Sequence, residues 1–147
     1  MRKYEENTVT TARLAIESHG HLRRIAQKEG IDFDCENRGI LHFCHSRAEF
    51  DVAAQVSGLL AKGGLECRAV APEEMRSIEP ALQGSFFRGF YTESDFTADI
   101  HKFTTGLARA CERLSARLKF SAEVLSIALD NGQDVLVVGD RPNRTET

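Results

Sequence analysis

Ile31-Asp32-Phe33-Asp34-Cys35-Glu36, the bend Asn37-Arg38-Gly39, and Ile40-Leu41-His42-Phe43-Cys44-His45 make two short runs of alternating character around a turn. Alternation at period two belongs to strands with one covered face, and the Asn-Arg-Gly step predicts a hairpin or a bulged bend. In the second run Ile40, His42 and Cys44 share one face, and Leu41, Phe43 and His45 the other. A sheet begins here, and the flanking segments say what packs on it.

Upstream, residues 7 to 29 predict a helix. Ala12, Ala15, Ile16, His19, Leu22 and Ala26 recur at three- and four-residue steps, Ile25 widens the stripe, and Gly30 is the stop. Downstream, Ser46-Arg47-Ala48-Glu49 reads as a capping box opening a helix to about Lys62, closed by Gly63-Gly64. Leu65 to Val70 is extended. Pro72 starts a short helix with Glu73 and Glu74 at its positive end, and Pro80 biases Glu79 out of it.

Phe86 to Thr92 predicts a strand despite Gly89, and the polar loop Glu93 to Ala98 follows. Asp99 caps the clearest helix, with Ile100, Phe103, Thr104, Leu107, Ala108, Cys111 and Leu114 on one face. Leu118 to Ser121, Val124 to Leu129 and Asp134 to Val138 read as strands, the last two joined at Asp130-Asn131-Gly132. The polar tail after residue 138 is expected to fray. Short strands interspersed with helices, without regular βαβ spacing, predict an α+β domain over residues 1–138: a mixed, largely antiparallel sheet with helices packed on one face.

Composition narrows the function. With 147 residues, 41% hydrophobic, the chain has material for one core. A net charge of -3 argues against nucleic acid, and no apolar run suggests a membrane span or a signal peptide, so a cytoplasmic location is expected. Cys35, Cys44, Cys67 and Cys111 match no zinc, redox or disulfide spacing and read as reduced thiols. None of the eleven glycines lies two positions from another, which excludes a G-x-G-x-x-G dinucleotide turn. His42 and Cys44 are two potential ligands where a structural zinc needs four, so no metal site is expected. Lys102, Arg109 and Arg113 read as a solvated helix face rather than an anion patch. No complete set of catalytic residues is legible.

Three stretches, taken in order, resemble a known family. Gly30-Ile31-Asp32-Phe33-Asp34-Cys35 with Arg38-Gly39-Ile40-Leu41-His42-Phe43 is similar to its approach to the substrate-domain sheet. Ala71-Pro72-Glu73-Glu74-Met75 with Ile78-Glu79-Pro80-Ala81-Leu82 resembles its short helix ending in an E-P-x-L step. Gly89-Phe90-Tyr91 through Asp99, the helix from Ile100 and the segment Phe120 to Ile127 resemble its loop, helix and return strand. The family is the D-amino-acid oxidase superfamily of FAD-dependent oxidoreductases, in particular the bacterial D-amino-acid dehydrogenases (small subunit).

This resemblance implies a central fragment of a longer enzyme: the substrate-binding domain and the return strand, without the Rossmann FAD-binding part. The implied reaction is oxidative deamination of D-amino acids to 2-oxo acids and ammonia on FAD, the parent being a soluble or peripherally associated enzyme. It further implies that His42, Tyr91, Ser94 and Asp95 line the substrate and that the backbone of Val124 meets the adenine of FAD. The chain alone is then expected to be inactive, to lack FAD and to self-associate through uncovered Leu41, Phe86 and Phe90. A glycine or sarcosine-type amine oxidoreductase, or a non-catalytic interaction module, is the alternative.

Overall fold

A computed structural model of the chain describes residues 2–130 and 134–138. Its elements are α1 (Arg2–Glu29), β1 (Ile40–Cys44), α2 (Arg47–Lys62), β2 (Arg68–Val70), α3 (Pro72–Ile78), β3 (Arg88–Thr92), α4 (Ile100–Arg113), β4 (Ser126–Asp130) and β5 (Asp134–Val138). They fall into two compact units divided after Leu107, within α4.

In the first unit β3 lies between β1 and β2, antiparallel to both. Of the hairpin or bulged bend expected between residues 31–36 and 38–45, the hairpin does not form. Asp32 accepts the amide of Asp34, and Asp34 turns to φ 52°, which breaks extension before a ladder can start. β1 pairs with β3 instead, and the first run contributes only the bridge between Glu36 and Thr97.

α1 ends as the glycine predicts. Gly30 stands at φ 67°, and the amide of Ile31 closes back on the carbonyl of Ala26 at 2.9 Å. The helix starts earlier than its apolar stripe, at Arg2. α2 opens on the capping box: Ser46 accepts the amide of Glu49 at 3.3 Å, and Glu49 reaches back to the amide of His45 at 2.8 Å. Where α1 crosses α2, a Cβ on Gly63 would stand 2.6 Å from the Ala12 methyl, so only glycine allows this approach.

The α2 helix packs on one face of the sheet, where the rings of Phe50 (α2) and Phe90 (β3) stack with centroids 4.8 Å apart. The short α3 adds Met75 on the other face. Met75 is fully buried beside Val70, and a Cβ on Gly89 would stand 3.1 Å from its sulfur and 2.6 Å from the carbonyl of His42. That crowding is why a glycine occupies the middle strand. A second cluster joins Ala26, Phe33 and Phe103, with Ile31, Phe96 and Leu107 against it. It fixes α1 and the start of α4 around the loop that follows β3.

In the second unit α4 ends at a turn with Ser115 at φ 68°. The strand expected over Leu118 to Ser121 does not form, and Phe120 there is 76% exposed. β4 and β5 pair antiparallel with Asp130 opposite Asp134. The predicted turn at Asn131-Gly132 and the polar tail lie outside the described residues.

Candidate functional site

Pleating decides which side chains can meet. Residues opposite one another in an antiparallel ladder share a face. Tyr91 stands opposite Leu41 on β1 and Arg68 on β2, whereas His42 stands opposite Phe90, itself opposite Ala69. The two aromatic residues named from the sequence, His42 and Tyr91, therefore point to opposite faces. His42 lies exposed on the face that carries α2, and Tyr91 lies on the other.

Tyr91 is held at both ends of its ring. Its hydroxyl donates to the carbonyl of Arg38 at 2.6 Å, and the ring covers Gly39, whose φ is 70°. The guanidinium of Arg68 sits 5.2 Å from the ring centroid and is ion-paired with Glu74 of α3. Tyr91, Arg68, Glu66, Glu93 and Ser94 line a hollow of about 290 Å³. Arg68 and Glu66 carry no motif signal. Only the register of β2 on β3 brings them to Tyr91.

Ser94 belongs to two hollows. On the far side of the loop it lines a larger cleft of about 680 Å³ with Asp95, Arg23, Asp32, Cys35 and Asn37. Asp95 turns into that cleft, toward α1. Its carboxylate accepts the amide of Phe96 at 2.9 Å and lies 4.0 Å from Nε2 of His19. The structure thus brings Tyr91 together with Ser94, and Ser94 with Asp95, but sets His42 apart from all three. Val124, in the second unit, is 57% exposed and precedes β4 by two residues, outside the ladder.

Several groups of the first unit have displaced ionisation. The amide of His45 and then the Ser46 hydroxyl hold the Glu49 carboxyl below its ordinary value. The amide of Lys102 does the same for Asp99. Asp34, hydrogen-bonded and ion-paired with Lys102, raises that ammonium. Burial, with Glu49 nearby, pushes the Cys44 thiol up, so it is a poor nucleophile.

The starts of α2, α3 and α4 do not fit the pyrophosphate of a dinucleotide. Such a group needs free amides at a glycine-lined strand-to-helix turn. At the start of α2 those amides face Ser46 and Glu49, α4 begins on the carboxylate of Asp99, and α3 starts with proline and two glutamates. Each site is already filled or negatively charged.

Residues 1–147 match the FAD dependent oxidoreductase family. The chain is 45% identical over 143 residues to "D-amino acid dehydrogenase 3" of Mesorhizobium japonicum, which covers 97% of this chain and 35% of that protein. It is 34% identical over 129 residues to the D-amino acid dehydrogenase of Paramagnetospirillum magneticum, covering 86% of this chain and 31% of that one. The chain thus spans about a third of the length of these relatives. Among solved structures it is similar to L-proline dehydrogenase from P. horikoshii, with a TM-score of 0.64 at 20% identity, over 84% of this chain and 31% of that one. Glycine oxidase from Bacillus cereus gives a TM-score of 0.64 at 17% identity, over 89% and 38%. These two likenesses establish the fold.

Proposed function

The chain belongs to the FAD dependent oxidoreductase family, and from that premise we propose that it is the substrate-side part of an enzyme that oxidatively deaminates D-amino acids. The observation that carries the reading is the 45% identity, over nearly the whole chain, to a D-amino acid dehydrogenase. FAD is the oxidant of that enzyme and is held by other parts of it, since the starts of α2, α3 and α4 are capped or negatively framed against its phosphates.

The hollow around Tyr91 is the proposed substrate side. It combines a fixed aromatic ring, the Ser94 hydroxyl, the carboxylates of Glu66 and Glu93 and the guanidinium of Arg68, so charges of both signs face a small zwitterion with its ammonium and its carboxylate. Asp95, engaged with Phe96 and facing α1, supports the loop from behind in this reading. A cytoplasmic location belongs to the same proposal and is supported by four free cysteines.

The reading is tested by grafting residues 1–138 in place of the matching stretch of the Mesorhizobium japonicum protein. Amino-acid-dependent reduction of an acceptor dye is then measured beside flavin content. Tyr91→Ala and Ser94→Ala in the graft should change the relative efficiencies for different D-amino acids while flavin content holds. His42→Ala, on the opposite face, should leave the profile unchanged. A shift with His42→Ala and none with Tyr91→Ala would reverse the face assignment. A graft that prefers glycine or L-proline would replace the D-amino-acid reading.

A further inference from the structure

The loop after β3 lines both hollows through Glu93 and Ser94, and α1 packs against it. His19 and Arg23 stand one turn apart on that helix, so they present to the same side. Both close on one loop residue: the His19 and Phe96 rings have centroids 4.8 Å apart at 60°, and the Arg23 guanidinium lies 4.6 Å from the Phe96 centroid. Arg23 also donates to Oδ1 of Asn37 at 2.8 Å, which ties the bend before β1 to the same point. His19 approaches the Asp95 carboxylate at 4.0 Å, and that carboxylate accepts the Phe96 amide. One residue further on, Thr97 and Glu36 exchange both main-chain hydrogen bonds, at 2.9 and 3.2 Å.

We propose that His19 and Arg23 are positioning residues that clasp Phe96 and Asp95 from behind and so hold Glu93 and Ser94 as the wall of the Tyr91 hollow. Neither residue touches that hollow. The alternative use of the larger cleft, as a ligand site in its own right, is less favoured by its contents. Its one cation, Arg23, is already spent on Asn37 and Phe96, and Asp95 on the Phe96 amide. What remains is a joint between helix and loop. The inference rests on reading the Tyr91 hollow as the substrate side, but its test does not need substrate.

The experiment is amide hydrogen exchange in the purified chain, resolved at Asp95, Phe96 and Thr97 and compared with the amides of β1 and β3. His19→Ala and Arg23→Gln should each speed exchange at the three loop amides by roughly two- to tenfold. The ladder amides should keep their rates. His19→Phe, which retains a ring against Phe96, should recover most of the lost protection, whereas a change that acted only on helix stability would not be rescued, phenylalanine being a poorer helix former than alanine. Unchanged loop exchange in a variant that combines His19→Ala with Arg23→Gln would overturn the proposal. So would acceleration that is equal in the β3 ladder, or a His19→Phe variant as fast as His19→Ala. A clasp upheld by exchange in a chain whose graft oxidises no D-amino acid would leave this inference standing and remove only the functional reading.

Discussion

The hydroxyl of Tyr91 donates to the main-chain carbonyl of Arg38 at 2.6 Å, and the same ring lies where a side chain on Gly39 would have to go. This pairing joins the middle strand of the sheet to the bend before β1 and fixes the ring that walls the proposed substrate hollow. A Cβ on Gly39 would fall 2.5 Å from the ring, at a φ of 70° that non-glycine residues adopt with strain. Gly39→Ala should therefore cost about 1–3 kcal/mol, and Tyr91→Phe about 1 kcal/mol through the lost hydrogen bond. Because the two residues share one contact, Gly39→Ala should cost less when Tyr91 is already alanine. Urea unfolding of the wild type, Gly39→Ala, Tyr91→Ala and the variant with both measures this, and strict additivity would contradict it.

Acid should weaken the chain through its helix starts. The Glu49 carboxyl is lowered in the folded protein by the His45 amide, and that of Asp99 by the Lys102 amide. Groups lowered on folding stabilise above their unfolded values, about 4.3 for Glu and 3.9 for Asp, and lose that contribution as pH falls through the folded values. The urea midpoint should drop over that window, and less steeply in Glu49→Gln. An identical acid slope in the variant would mean that the capping box is not closed in solution.

The isolated chain should not retain FAD. The helix amides that would hold a pyrophosphate are capped or negatively framed. Flavin absorbance at one equivalent surviving gel filtration would contradict this.

Self-association should run through a different set of rings than the sequence suggests. Phe90 is covered by Phe50, and Leu41 and Phe86 are half-buried, whereas Phe43 is 45% exposed and packs on Phe86 and His45. Phe43→Gln should lower the association seen by analytical ultracentrifugation at high concentration. Equal association in the variant would place the contact elsewhere.

Much of this was legible from local chemistry. The Ser46 and Glu49 box, the proline start of α3, the Asp99 cap and the stop at Gly30 are decided within a few residues, and each stands where the sequence places it. The local hairpin of β4 and β5 was legible too, but the pairing of β1, β2 and β3 was not, because it depends on distant partners. The alternation of residues 31–36 looks like half a hairpin, yet the Asp32 turn that prevents it needs only two residues to form. The site suffered for the same reason. His42 and Tyr91 each sit on a plausible strand, but whether they share a face depends on a register that only the ladder sets. Arg68 reaches Tyr91 by the same register, and His19 reaches Asp95 only through the packing of α1 on the loop.

The most direct measurement is the rate at which the grafted enzyme reduces an acceptor dye with D-alanine and with L-alanine, at matched flavin content. A substrate-side part of a D-amino acid dehydrogenase predicts turnover with the D-enantiomer and at least about a hundredfold less with the L-enantiomer, the scale that a shaped polar site can discriminate. Full flavin occupancy with equal rates for the two enantiomers, or with glycine or L-proline as the better substrate, would contradict it.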